Sequence, residues 1–386
     1  MHPRPLSGLR VLDLTRVLAG PYCTLLLADL GAEVVKVERP GTGDDARAFG
    51  PFLENGQSAY FASINRGKKS IALDLKDADD RKTFLALIDR ADVLVENFRA
   101  GTMQKLDLSA ESLCRRNPRL IYASLSGFGH AGSHTDRAAY DVVVQALSGL
   151  MSITGSGPGQ SVRVGTSISD ILTGIFGAVA VVSAVHGRTD SGQGTVIDLA
   201  MLDCTVAALE NAISRFSIAG VAPEPLGTRH PSITPFQAFS TADAPIVIAA
   251  GNDTLWSALC GCLERDDLAT DPRFATNGDR TTHHDALETE LATALATRSA
   301  DDWLERLADA GIPAAPIRSI DQVVADPHLA SRGMWHTMDD GQGGSLLTAG
   351  SPFRMNDSPP PLSVSIPALD EHHQEIIAQW LATDSS

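Results

Sequence analysis

One acidic side chain stands alone in an uncharged stretch. In VGTSISDILTGIFGAVAVVSAV, Asp170 is the only ionisable residue, and it follows Ser167 and Ser169 where a helix would begin. One reading is a helix-terminal acid, because the macrodipole and the free amides of a first turn favour a carboxylate there. The other reading uses the same placement. A carboxylate beside a helix N-terminus is expected to stay ionised even when partly withdrawn from water, and such a group is a competent covalent nucleophile. The two readings are compatible.

Cations are sparse, yet several fall at predicted strand ends or in loops: Arg39, the run Arg66, Lys68 and Lys69, then Arg99, Lys105 and Arg137. They are either ordinary surface charge or a set that binds a phosphorylated nucleotide through charge-assisted hydrogen bonds. VENFRAG adds Asn97 and Phe98, an amide and a ring suited to contacting a base, unless Phe98 belongs to the core. The histidine pairs His283/His284 and His372/His373 sit in polar helical segments and are expected to be solvated, while Trp256 and Trp303 read as packing residues. Other chemistries lack their motifs. There is no GxxxxGK[ST] phosphate loop, the first turn TRVLAGP has no GxGxxG, and no GxSxG elbow occurs. Cys260 and Cys262 have no second CxxC or HExxH to complete a ligand set, so no metal is expected.

The chain has 386 residues, 31 Lys+Arg against 47 Asp+Glu, and a formal charge of -16. That excess of acid argues against nucleic acid or anionic membrane as a partner, since both attract proteins by phosphate neutralisation. Five scattered cysteines imply no disulfide framework, and the N-terminus lacks the apolar core of a secretion signal. A cytoplasmic protein is expected.

These residues need elements to position them. RVLDL, the helix from about Gly20 to Leu30 and the strand near Val34 to Val37 read as a βαβ unit, and SIALDLK, DADDRKTFLALIDRA and DVLVENF as a second round. RLIYASLSGFG adds a strand. The pattern predicts an α/β fold with a parallel sheet and helices on both faces, its ligands just beyond Leu14, Val37, Val95 and Leu125. Two apolar helices are expected next, from about Ser167 to His186 and from about Leu199 to Ala219. The run Ile171 to Val185 is shorter than the roughly 20 residues that cross a bilayer and reads as a buried core helix. GVAPEPLGTRHPSITP then marks a linker into a second unit with a strand at PIVIAA and helices near Asp253 to Cys262, His283 to Ala296 and Ala300 to Ala310. A last helix spans Glu371 to Ala382.

Taken in order, LSGLRVLDLTRVLAGP, LGAEVVKVERPGTGD, INRGKKSIALDLK, DVLVENFRAG, NPRLIYASLSGFG, AAYDVVVQALSG, GTSISDILTG and GQGTVIDLAMLD resemble the class III coenzyme A transferases, the formyl-CoA and carnitine CoA transferase group. The resemblance runs from about Pro5 to Gly220 and continues more weakly to the C-terminus. It implies a large Rossmann-like domain made of residues 1–220 and 331–386, a smaller α/β domain over 225–325, and an interlocked homodimer. It also implies that Asp170 is the nucleophile, forming an anhydride with the acyl group of a CoA thioester and then an aspartyl-CoA thioester. Coenzyme A enters as substrate, and no prosthetic group or metal is required.

The implied CoA contacts are Val17, Leu18, Ala19, Arg39, Leu73, Leu75, Asn97, Phe98, Arg99, Lys105 and Arg137, with Tyr140 and Asp141 beside the acyl group. Arg229 or His230 is implied as the partner of an acceptor's distal carboxylate. Two positions depart from the family pattern: Leu18 stands where some members carry glutamine, and the glycine-rich closing loop is reduced to IAAGNDTLW with Gly251. The related α-methylacyl-CoA racemases read AGHDINY where this chain has AAYDVVV. Tyr140 thus replaces their base histidine, and a phenol, which titrates at about 10, is a poor general base.

Overall fold

Which residues each strand buries explains the alternation of strand and helix in the first half of the chain. A computed structural model describes residues 4–339, 344–356 and 365–382. In chain order it contains β1 (Arg10–Asp13), α1 (Ala19–Asp29), β2 (Glu33–Glu38), α2 (Ala59–Asn65), β3 (Lys69–Ala72), α3 (Ala78–Ile88), β4 (Val93–Glu96), α4 (Thr102–Lys105) and α5 (Ala110–Arg116). There follow β5 (Ile121–Ser126), α6 (Asp141–Leu147), α7 (Ile168–Ser191), β6 (Val196–Ala200), α8 (Met201–Ala207) and α9 (Ala212–Ala219). The six strands form one parallel sheet in the order β3-β2-β1-β4-β5-β6, with Val11 registered against Val34 on one side and Val93 on the other.

Alternate residues feed two cores. Val11, Val34, Val93 and Val95 pack with Cys23, Leu26 and Leu27 of α1 and with Ala178 and Val181 of α7. Leu12, Val35, Ile71 and Leu94 pack on the opposite face with Phe84, Leu87 and Ile88 of α3 and with Trp380. Each fully buried side chain of this size contributes about 1.5–3 kcal/mol.

The chain divides into two compact units. The first is Met1–Met151, Arg163–Gly220 and Pro327–Ser386, and the second is Ser152–Val162 with Val221–Asp326. The second holds an antiparallel sheet of β7 (Phe236–Ser240), β8 (Pro245–Ala249) and β9 (Ala314–Pro316). Its helices are α10 (Asp253–Cys262), α11 (Asp266–Thr270), α12 (Asn277–Thr282), α13 (His284–Leu295), α14 (Ala300–Asp309) and α15 (Ile320–Val324). Trp256 and Trp303 lie in its core. The first unit resumes with α16 (Pro327–Ser331), a hairpin of β10 (Trp335–Asp339) and β11 (Ser345–Ala349), and α17 (His373–Leu381). The Pro/Ser stretch from Ser358 lies partly outside the described residues. The His372 N–H donates to the Ser70 carbonyl at 3.0 Å and the His372 ring Nδ1 accepts from the Ser70 N–H at 3.3 Å, docking the start of α17 on the β3 edge.

Two expectations need correction. The segment from Leu199 to Ala219 is not one helix: it is a strand and two short helices, with Glu210 between the helices in left-handed backbone at φ 54°. Nor is α7 a fully buried core helix. It runs for 24 residues, long and apolar enough to cross a membrane by length and composition. Ser169, Thr173, Gly174, Gly177, Ala178 and Val181 form a buried stripe on one side, whereas Ile175, Phe176 and Val179 are exposed, Val179 to 58%. The buried stripe is cut for close approach. A Cβ on Gly174 would lie 2.9 Å from the Ala19 carbonyl oxygen, and one on Gly177 would lie 2.9 Å from Leu125 Cδ2.

Replacing Gly174 by valine should therefore push α7 off α1 and cost about 1–3 kcal/mol, read as a lower midpoint of urea unfolding. An unchanged midpoint would show that the α1–α7 contact is slack.

Candidate active site

In this strand order the chain leaves β1 and β4, which are neighbours, towards opposite faces of the sheet, and a crevice opens between their carboxyl ends. Thr15–Leu18 follows β1 and Asn97–Ala100 follows β4. The first of these turns is held at every residue. Asp13 accepts from the Thr15 amide at 2.8 Å, from Thr24 Oγ1 at 2.6 Å and from Lys68 Nζ at 3.0 Å. Lys36 Nζ donates to the Thr15 carbonyl at 2.7 Å and pairs with Asp44 at 2.9 Å. Asn97 clamps the Arg16 peptide units, accepting from the Arg16 N–H and donating to its carbonyl, both at 2.8 Å. Asp44 Oδ1 accepts from the Val17 N–H at 3.0 Å.

These charges are buried, so their state depends on one another. Burial alone would raise Asp13, but Lys68, Lys36 and two hydroxyls override it and hold the carboxyl far below its ordinary range. The same contest leaves Asp44 low, with Lys36 the chief opposing charge. Burial lowers Lys68 to about 8 despite Asp13. The outcome is a turn in which Val17 sits at φ 66°, a left-handed conformation that costs an L-residue about 1–2 kcal/mol.

The turn ends at the start of α1, which has no side-chain cap, and the amide of Ala19, the first residue of that helix, favours the ionised form of the Asp170 carboxyl. Asp170 itself is in the first turn of α7 and is half-buried. Asp141 is buried behind it. Its carboxylate accepts from the Ser169 N–H at 2.9 Å and from Gln145 Nε2 at 2.7 Å, and Gln145 Oε1 accepts from the Val164 N–H at 2.9 Å. Asp141 is thus a residue that positions the start of α7, and it does not line the cavity at Asp170.

The expectation that the helix terminus keeps Asp170 readily ionised is corrected. Burial, and after it the Asp141 charge, push the Asp170 carboxyl up to about 7, outweighing the Ala19 amide. Tyr60 on α2 was not singled out from the sequence, because nothing charged surrounds it in QSAYFASIN. Burial first, then the carboxylates of Asp170, Asp44 and Asp141, raise its phenol to about 12.

Two cavities run along the carboxyl ends of the strands, both walled by the first unit. The larger, about 490 Å³, is lined by Leu14, Glu38, Arg39, Leu73, Leu75 and Phe98 among others. The smaller, about 220 Å³, is lined by Val17, Leu18, Ala19, Asn97, Phe98, Arg99, Arg137, Tyr140 and Asp170 among others. Arg16 and Phe98 belong to both walls, with the Arg16 guanidinium 5.4 Å from the Phe98 ring centroid. Arg16 was missed in the sequence, although its place directly after the first strand was the available signal. It pairs with Asp45 at 3.1 Å, and Arg39 pairs with the same carboxylate.

The remaining expected residues divide clearly. Lys105 is exposed on α4 and lies outside both linings. The run Arg66, Lys68, Lys69 is structural: its members pair with Asp29, Asp13, and Glu33 with Glu375, respectively. Arg229, His230 and Gly251 belong to the second unit. There the His230 ring packs 5.5 Å from Phe236, and a Cβ on Gly251 would meet Ile233 Cγ2 at 1.9 Å. His284 is not solvated as expected. It is buried, with Nε2 2.7 Å from Gln237 Oε1, because α13 turns it onto β7.

Residues 6–373 match CoA-transferase family III. The acetyl-CoA:oxalate CoA-transferase of Acetobacter aceti is 43% identical over 99% of this chain and 97% of its own length. The succinyl-CoA:mesaconate CoA-transferase of Haloarcula hispanica is 42% identical over 96% and 95%. The crystal structure of a CAIB/BAIF family protein from Brucella suis superposes with a TM-score of 0.86 at 39% identity, covering 98% of this chain and all of that one.

A carboxyl raised to about 7 gives signs that can be checked. If the carboxylate form reacts, turnover rises with pH through about 7, and Asp141→Asn, which removes a like charge, moves that rise to lower pH. The folded state holds the Asp170 proton more tightly than the unfolded one, so the associated stability is full below 3.8 and lost as pH rises through about 7. Asp170→Asn should accordingly stabilise the protein by about 1–3 kcal/mol at pH 8 and by little at pH 3.5. Equal melting shifts at both pH values would contradict the raised value.

Proposed function

The chain belongs to CoA-transferase family III and is a CoA-transferase, and from that premise we propose that Asp170 carries the acyl and CoA groups in turn. The observation that carries the proposal is the cavity at Asp170. It opens beside a half-buried carboxylate set between two helix N-termini and shares Arg16 and Phe98 with a larger cavity of nucleotide size.

In the proposed reaction an acyl-CoA lies with its nucleotide in the larger cavity, near Arg39, Leu73 and Leu75, and its thioester at Asp170. The ionised carboxylate attacks the thioester carbonyl, the C–S bond breaks, and an aspartyl-acyl anhydride and CoA thiolate result. The thiolate then attacks the aspartyl carbonyl, releasing the donor acid and leaving an aspartyl-CoA thioester. The acceptor carboxylate attacks that thioester to form a new anhydride, and the thiolate takes the new acyl group, which restores Asp170. Every bond broken is matched by one formed, so the exchange runs without ATP. The Ala19 amide and the α7 terminus face the oxygens on which negative charge returns. Donors such as succinyl-CoA and acceptors that are small carboxylic acids suit a cavity of about 220 Å³. Racemisation is the weaker reading, since Tyr140 supplies no imidazole and its side chain is 72% exposed.

We also propose a homodimer, interlocked as the sequence resemblance implied. Its support here is the exposed apolar surface of Ile175, Phe176 and Val179 on α7 and of Ile213, Phe216 and Ile218 on α9, with Ile218 90% exposed.

Mixing the protein with succinyl-CoA or acetyl-CoA and a panel of dicarboxylates should yield a new CoA thioester by mass spectrometry. Asp170→Ala should abolish exchange while CoA still binds. Retained turnover in that variant would remove Asp170 from the reaction. Sedimentation at micromolar concentration should give twice the chain mass of 40.8 kDa; a species of one chain mass would refute the dimer.

A further inference from the structure

We propose that Asp44 is a positioning residue of the transferase, which holds Val17 in left-handed backbone so that the start of α1 shares a cavity wall with Asp170. The proposal rests on the reading of Asp170 as the nucleophile. It starts from an outlier: Val17, at φ 66°, is β-branched, and such residues occupy this region only when their surroundings force them. RVLAGP contains no asparagine or glycine at that position to favour the conformation.

What holds it is a buried acceptor that cannot move. Asp44 takes the Val17 N–H on Oδ1 at 3.0 Å and the Ala46 N–H on the same oxygen at 2.9 Å, capping a short 3-10 helix at Asp45–Ala48. Lys36 holds it at 2.9 Å, and its own N–H donates to Glu38 Oε2 at 2.9 Å. Glu38 is fixed in turn by Arg47 at 2.6 Å and Ser70 at 2.7 Å. Asp44 is therefore tied to β2 and β3, and through Val17 it ties the turn after β1 to the same frame.

If the turn relaxed to extended backbone, Val17, Leu18 and Ala19 would be redirected together. Those three residues line the cavity at Asp170 together with that carboxylate, and the Ala19 amide favours its ionised form. Asp44 is 2% exposed and belongs to the wall of the other cavity, so it acts through the turn and not by touching the reacting group.

The test is a pair of variants in the full-length protein, with folding checked by circular dichroism and melting. Asp44→Ala should lower kcat for CoA exchange at least about tenfold while KM for the CoA thioester changes less than about threefold. Adding Val17→Gly, which needs no latch to adopt positive φ, should recover at least about threefold of the lost kcat. Wild-type kcat in Asp44→Ala would overturn the proposal, and so would a loss that Val17→Gly leaves unchanged or deepens. Should Asp44→Ala fail to fold, Asp44→Ser carries the same measurements, because its hydroxyl still caps Ala46 but is too short to reach Val17 as well. Wild type and Asp170→Ala run alongside separate the two ideas. Absent exchange in wild type, or exchange retained in Asp170→Ala, refutes the nucleophile; if both behave as expected and the Asp44 pair does not, only the latch is wrong.

Discussion

The structure depends on a set of charges that water does not reach. Asp13, Lys36, Asp44 and Lys68 lie beneath the first turn after β1, each at most 2% exposed. Removing one member of a buried pair leaves its partner uncompensated, typically at a cost of about 3–5 kcal/mol. A surface salt bridge would be worth a fraction of that and could not hold a strained turn. Here the cost of desolvation is offset by carbonyl, amide and hydroxyl partners, and those partners are the peptide groups of the turn itself. The network thus spends its interactions on geometry: it fixes where α1 begins and which way the Ala19 amide faces.

A second constraint works by absence of atoms. Gly174 and Gly177 let α7 lie against α1 and β5 with no side chain of its own between, which brings two helix N-termini to one carboxylate. The same closeness withdraws Asp170 from water and sets it near Asp141, and the carboxyl rises to about 7 as a result. The helix termini and the burial therefore oppose each other. A carboxylate that is expensive to ionise is also one that reacts readily when ionised, and that balance suits the role proposed for Asp170.

Much of this was legible in the sequence, and what was not has physical reasons. The alternation of strands such as RVLDL, EVVKVE and DVLVENF with helices predicted the parallel sheet, and the lone acid in GTSISDILTG marked Asp170, which lines a cavity at the carboxyl ends of the strands. The run Arg66, Lys68, Lys69 misled because sequence shows a charge but not its partner, and all four partners lie far along the chain. Asn97 looked like a base contact, whereas its amide is engaged on the Arg16 backbone, a tertiary contact with no local signature. The one-sided burial of α7 was hidden because both of its faces are apolar, and the break at Glu210 because no proline or glycine marks it.

The central claim is that Asp170 is covalently modified during turnover. The direct test is peptide mass spectrometry after incubating the protein with succinyl-CoA and quenching with hydroxylamine, which converts an aspartyl anhydride or thioester to a hydroxamate. The account predicts a hydroxamate on the peptide containing Asp170, dependent on the thioester. Exchange that proceeds at full rate with no modification there, or with the label on another residue, would contradict it.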